Sequence, residues 1–290
     1  MDFLQLDYAP LALAFTHVIA GVLVLTAAKF IAQVLSPYKV DEELTTRDNP
    51  AFGLALAGYY GAVAIVYLGA ASVGPLPLES GTQGVLVALG GDIAWALAGV
   101  VALNLSRWAM DRMLLTGARC SALVTGDRNT AAGVLECGAY VASALVLAGA
   151  IRQPGGTWLS ALVLFVLGQC ALVLVGRMYE RLAGYDVAKE VCGSNLSAGV
   201  AFAMSLVAVA LIMMKATSVD FVGWGRTLTF FLFDAVAGLV LLLVLRWVVD
   251  LLLLPNARIA EEVVRDRNVN VGLVEGTLAV CVASVILYLF

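Results

Sequence analysis

Four acidic residues of this sequence lie inside long apolar stretches, where an ionised side chain is costly. They are Asp92, Glu136, Asp234 and Glu275. A carboxylate at the centre of a membrane span costs roughly 2.5–3.5 kcal/mol, so it needs a partner, water or a proton. A carboxyl group in that state is able to exchange a proton or hold a cation. The four residues therefore indicate a site for H⁺ or another small cation.

Spacing links these carboxylates to two more polar residues. When the odd-numbered apolar stretches are aligned, His17 and Gln169 occupy the level of Asp92 and Asp234. His17 is the only histidine, and histidine is the residue type whose charge ordinarily changes near neutral pH. Together with the two glutamates, these residues form a candidate ion pathway. The alternative is a structural role, in which they hydrogen bond between helices or pair with arginines near the helix ends.

The composition places these residues in a membrane. Of 290 residues, 62% are hydrophobic and 13% are charged, whereas soluble domains are roughly 45–50% apolar and about 25% charged. Eight apolar stretches reach the roughly 20 residues that a bilayer span requires. They cover 10–34, 50–73, 84–106, 129–151, 157–178, 195–214, 227–253 and 268–290. The predicted fold is all-α, a polytopic integral membrane protein whose eight transmembrane helices form four parallel helical hairpins.

The same short motif opens every even-numbered helix. An asparagine is followed four residues later by a glycine, and a fairly small residue comes after four more. The pairs are Asn49 and Gly53, Asn129 and Gly133, Asn195 and Gly199, and Asn268 and Gly272. Asparagine is a favoured helix N-cap, and small residues four apart let a neighbouring helix approach closely. The motif predicts capping and close packing; the alternative is that the asparagines ring a pore mouth.

The polar residues alternate between hairpins, which indicates a duplicated four-helix unit. The first and third hairpins contain His or Gln, whereas the second and fourth combine Asp with Glu. We therefore predict two units, 1–151 and 157–290. All four hairpins have the same orientation, which suits an axial channel or a scaffold better than the inverted repeats of many transporters.

On the repeated Asn-x3-Gly hairpins, the chain resembles the YjfL-like family of bacterial inner-membrane proteins, a domain of unknown function. The resemblance covers the whole chain as two tandem copies, and it implies location in the bacterial inner membrane but no activity. Fourteen of the 17 basic residues lie beside the connections after odd-numbered helices; the others are Arg152, Lys215 and Arg226. The positive-inside rule then predicts periplasmic N- and C-termini.

Other classes of function have little support in the sequence. It contains no G-x-S-x-G, H-E-x-x-H or Walker A motif, so we expect no enzyme activity. Five cysteines without a C-x-x-C pair and a single histidine predict neither a metal site nor another cofactor. The formal net charge of −4, without a basic cluster, argues against nucleic-acid binding.

We therefore expect a protein that conducts or senses a proton or small cation. The expected partners are the lipid bilayer and either another copy of the chain or a different membrane protein. The alternative function is a membrane scaffold or stress-response assembly protein without transport activity. In that case the charged segments 41–48 and 259–265 would dock a partner; otherwise they are solvated linkers.

Overall fold

The computed structural model describes residues 9–35, 39–71, 81–115, 117–253 and 259–289. Within these ranges the chain forms helices and no strands. Eight helices are long and apolar enough to cross a membrane. They are α1 (Ala9–Leu35), α2 (Pro50–Ala71), α3 (Gly81–Met113), α4 (Thr130–Ile151), α5 (Trp158–Ala183), α6 (Leu196–Thr217), α7 (Trp224–Leu253) and α8 (Val269–Leu289). The predicted all-α polytopic membrane fold is confirmed.

Helices α3 and α5 extend furthest beyond the ends that hydropathy predicts. Helix α3 continues from the predicted end at 106 to Met113, and α5 continues from 178 to Ala183. Both extensions contain charged residues, which lowers their hydropathy, yet each keeps one face buried. Met110 and Tyr179 are 2% and 6% exposed. Burial of one face therefore prolongs both helices beyond their apolar stretches.

The four even-numbered helices form a row in the order α2, α4, α6, α8, and their mutual contacts are the most extensive in the molecule. The odd-numbered helices flank this row: α1 and α3 lie against α2, α5 against α4 and α6, and α7 against α6 and α8. Helices α4 and α6 are mostly buried, whereas at most 22% of the residues in the spanning segments of α1, α3 and α7 are buried. In a bilayer, the exposed side chains of these three helices face lipid.

The motif glycines allow the helices of the row to approach each other. The motif glycines of α4, α6 and α8 each contact the backbone of the preceding even-numbered helix. The residue contacted lies two positions after that helix's motif asparagine. These contacts are Gly133 on Ala51, Gly199 on Ala131, and Gly272 on Ser197. A methyl group at any of the three glycines would overlap a backbone carbonyl oxygen. The row therefore requires glycine at these positions.

A short helical connector precedes each even-numbered helix. The four connectors are Glu42–Thr46, which is π-helical, Cys120–Thr125, Val187–Cys192 and Ile259–Val264. Because the hairpins are parallel, the connectors lie at one end of the molecule, which we call the connector end. Val124, Val191 and Val263 are at most 1% exposed, and Glu43 is 3% exposed. Within the charged segments 41–48 and 259–265, Glu43 and Val263 are thus the side chains buried against the fold.

Candidate functional site

The motif asparagines cap the even-numbered helices and join successive hairpins. At the start of α4, the Asn129 side-chain oxygen accepts a hydrogen bond from the Ala132 backbone N–H at 3.1 Å. In the first three hairpins, the side-chain amide donates to a carbonyl of the next connector. These bonds are Asn49 to Val124 at 2.9 Å, Asn129 to Val191 at 2.7 Å, and Asn195 to Val263 at 2.8 Å. The asparagines therefore act as clamps inside the row.

Two further parts of this clamp were missed by the sequence analysis. The residue before each asparagine has a left-handed backbone, with φ of 48° at Asp48, 50° at Arg128, 59° at Ser194 and 48° at Arg267. Their residue types differ, so no pattern marked them. Three asparagine amides also donate to a connector carboxylate: Glu43, Glu190 and Glu262. A glutamate five or six residues before the asparagine was the available signal.

His17 and Tyr67 are hydrogen bonded in the half of the span opposite the connector end, with Asp92 nearby. The Nδ1 atom of His17 lies 3.1 Å from the Tyr67 hydroxyl, which donates to the His17 backbone carbonyl at 2.9 Å. Asp92 is half-buried and within electrostatic range of both His17 and Tyr67. A cavity of about 290 Å³ adjoins His17 and Tyr67. These three residues are called the histidine cluster below; sequence reasoning did not include its tyrosine.

Arg107 and Glu136 form an ion pair in the other half of the span. The Arg107 Nε donates to Glu136 Oε1 at 2.8 Å, and the two side chains are 18% and 9% exposed. A cavity of about 580 Å³ adjoins Arg107 at the connector end and is also lined by Asp111, Arg112 and Arg119. The pairing offsets the cost of burying the Glu136 carboxylate, since a neighbouring positive charge stabilises it.

An apolar layer separates the ion pair from the histidine cluster. Val63, Val66 and Val100 have 0% exposure. On α2, Tyr59 and Tyr67 stand eight residues apart, which corresponds to roughly 12 Å along a helix. The Tyr59 hydroxyl accepts from Asn104 at 3.3 Å and donates to a backbone carbonyl of α1 at 2.9 Å. The described residues therefore form two polar clusters with closely packed side chains between them.

The other predicted pathway residues are spread over the second unit. Gln169 on α5 accepts a hydrogen bond from the Ser143 hydroxyl on α4 at 3.2 Å. Asp234 on α7 lines a small cavity together with Lys215. Glu275 on α8 is 6% exposed. Of the six predicted residues, the structure places His17 and Asp92 within electrostatic range of each other and the others in separate surroundings.

The described residues contain no group of three or more His, Cys, Asp or Glu side chains placed to hold a metal ion. All five cysteines are free thiols. Cys120 is buried beneath the connector end, whereas Cys192 is exposed there. The polar chemistry of the described spans therefore comes from the histidine cluster, the ion pair and single polar side chains.

These features define a helical membrane protein built by internal duplication, with ionisable residues in its spans. The family model described as Domain of Unknown Function (DUF350) matches residues 5–151 and again residues 155–289. The chain therefore belongs to the DUF350 family and contains two tandem copies of its domain. This match confirms the family resemblance and the duplication. No curated protein and no solved structure matches the chain significantly.

Cys192 allows a direct test of the predicted orientation. Partial burial and the neighbouring Asp186 and Asp127 raise the pKa of this thiol. Because the thiolate is the reactive form, labelling by a membrane-impermeant maleimide is expected to increase as the pH becomes alkaline. We expect labelling in inverted inner-membrane vesicles but not in right-side-out spheroplasts. Cys192→Ser is the control, and Cys192-dependent labelling of intact spheroplasts would contradict the predicted cytoplasmic connector end.

Proposed function

We propose that the protein conducts or senses a proton or small cation in the bacterial inner membrane, through the polar residues of its first unit. The observation that supports this function best is the histidine cluster, where His17 and Tyr67 are hydrogen bonded and Asp92 lies within electrostatic range of both. Ionisable residues inside membrane spans are rare because they are costly, and they are typical of ion pathways and proton relays.

The chemistry of the cluster suits a proton or a small cation. Histidine exchanges a proton near neutral pH, and the Tyr67 hydroxyl is hydrogen bonded to it. Protonation of His17 strengthens its attraction to an ionised Asp92, because opposite charges attract strongly in a medium of low dielectric constant. A change in pH therefore alters the force between α1 and α3. In our proposal, this change in force between the two helices is the signal by which the protein senses pH.

Conduction requires a second step, because the apolar layer blocks the route between the two clusters. In our proposal, the layer around Val63, Val66 and Val100 admits water when α1 and α3 move apart. The Arg107–Glu136 pair then adjoins the route on the connector side, next to its cavity. Asp234 and Glu275 occupy the corresponding positions of the second unit and lie outside this route.

Ion flux into proteoliposomes tests conduction. Wild type, Asp92→Asn and Asp234→Asn are compared under an imposed pH gradient and then under K⁺ and Na⁺ gradients. We expect Asp92→Asn to abolish the flux and Asp234→Asn to retain most of it. Asp234 is the matched control because it has the same residue type and level but adjoins Lys215 instead of histidine.

Absence of flux from well-folded wild type under every gradient would contradict conduction. A sensor still predicts that hydrogen exchange in α1 and α3 changes with pH and that Asp92→Asn removes this change. Loss of both effects would leave the scaffold or stress-response assembly protein as the function. Two exposed helix faces at the ends of the row favour that second candidate, and a scaffold keeps its protein contacts when the carboxylates are neutralised.

A further inference from the structure

We propose that copies of this chain associate head to tail, with α8 of one copy packed on α2 of the next. The row of even-numbered helices would then continue from copy to copy. The proposal is independent of ion conduction. It rests on how the three interfaces within the row are built and on what the two ends of the row expose.

The three internal interfaces follow one rule. In each, the motif glycine of the later helix contacts the residue two past the earlier asparagine. A second contact lies further along the two helices. On the earlier helix it uses the residue nine positions after the asparagine, and on the later helix the residue eight positions after its asparagine. These contacts are Gly58 on Cys137, Gly138 on Ala203, and Met204 on Gly276. Each helix therefore has a forward face, used toward the next helix, and a backward face, used toward the preceding one.

The backward face of α2 is exposed. An added methyl group at Gly53 or Gly61 would have no described atom within 4 Å, in contrast to the other three motif glycines. Ala57 is exposed as well, and Leu68 is 64% exposed. The spacing of Gly53, Ala57 and Gly61 permits close approach of another helix. This face has the same construction as the backward faces that are buried inside the row.

The forward face of α8 is exposed at the other end of the row. Asn270, Thr277, Cys281 and Ser284 are exposed, and Tyr288 is 89% exposed. Asn270 stands two residues past its motif asparagine, a position that is fully buried in the other three hairpins. Asparagine, threonine and serine on a membrane helix are typical of helix–helix contacts. The face thus carries groups suited to a protein partner.

The asparagine clamp also indicates which partner fits. Asn268 donates to Glu262 at 3.2 Å, as the corresponding asparagines do in two other hairpins. In the first three hairpins the amide additionally reaches a carbonyl of the next connector. The position corresponding to Val124 in the first connector is Leu44, whose side chain is 37% exposed. A second copy would bring the backbone carbonyl of its Leu44 to the Asn268 side-chain amide and so complete a fourth clamp.

A second copy is the partner whose surface matches both ends. Its α2 presents the backward face that α8 requires, and its first connector is placed as the other connectors are. A twofold dimer formed through one end of the row would instead pair α2 with α2, or α8 with α8, and would form no clamp. Head-to-tail contacts produce a closed ring or an extended filament.

A cysteine pair tests this arrangement in native membranes. By the rule above, Thr277 of one copy should contact Ala57 of the next. Ala57→Cys and Thr277→Cys are introduced together into a folded variant that lacks the five native cysteines. Mild oxidation is expected to produce disulfide-linked dimers and higher multimers. Each single-cysteine variant should remain monomeric or form a small amount of dimer, and it should form no higher multimers. The matched control is Leu105→Cys with Val244→Cys, since both residues are exposed on flanking helices.

Gly53→Leu provides a second variant that is expected to fold. Its Cβ meets no described atom within 4 Å, and the side chain extends from an exposed helix face, so the thermal unfolding of the solubilised monomer should stay unchanged. In the double-cysteine background, it should lower the yield of crosslinked multimers by about tenfold or more, because overpacking opposes the helix contact. Three results would overturn the proposal: no multimers from the 57/277 pair, equal yield from the control pair, or no effect of Gly53→Leu.

Discussion

Replacing Gly199 by alanine is expected to be among the most damaging single-methyl changes in this protein. The new Cβ would lie 2.6 Å from the carbonyl oxygen of Ala131, where α6 crosses α4. Backbone atoms have little freedom to move, so the two helices must separate. Overpacking of a well-packed core costs about 1–3 kcal/mol and sometimes more. The free energy of unfolding, measured by denaturant titration in detergent micelles, should therefore fall by about 1–3 kcal/mol or more.

Gly53→Ala is the matched control, because it makes the same change at the same motif position. No described atom lies within 4 Å of the added methyl group. Alanine also has the higher helix propensity, by about 0.8–1.0 kcal/mol. We therefore expect unchanged or slightly increased stability of the monomer. A similar loss of stability for Gly53→Ala and Gly199→Ala would show that the motif glycines act through something other than helix contact.

The second large effect is expected when Arg107 is replaced by alanine. This change removes the partner of Glu136, whose side chain is 9% exposed in the span. Removing one member of a buried ion pair costs about 3–5 kcal/mol, since it leaves an uncompensated buried charge. Thermal unfolding in micelles should therefore shift strongly to lower temperature at neutral pH. Acidic pH should reduce the difference from wild type, because protonation of Glu136 removes the uncompensated buried charge.

The Arg107→Met/Glu136→Leu double variant distinguishes pairing from simple loss of side-chain volume. Replacement of a whole buried pair by apolar residues is often neutral or stabilising, so the double variant should recover much of the lost stability. Arg265→Ala is the surface control, since the Arg265 side chain is 68% exposed beside Asp266, and no resolved change is expected. A double variant less stable than Arg107→Ala would contradict the pairing argument.

The sequence by itself determined the class of protein and its repeat. Hydropathy located all eight spans, because an apolar stretch of about 20 residues has few stable places other than a bilayer. The recurrence of asparagine and glycine at Asn129 and Gly133, and at three other places, revealed the hairpin repeat. These properties are local or periodic along the chain, so they are readable without knowing which helices touch.

The tertiary structure decided which residues meet. Alignment placed His17, Asp92, Gln169 and Asp234 at one level, yet the structure hydrogen bonds His17 to Tyr67, with Asp92 within electrostatic range, and separates the others. It also showed that motif glycines contact backbone in three helices but not at Gly53. Spacing defines the depth and face of a side chain on its own helix. The neighbour it meets depends on how the helices pack, and that order became visible only in the row α2, α4, α6, α8.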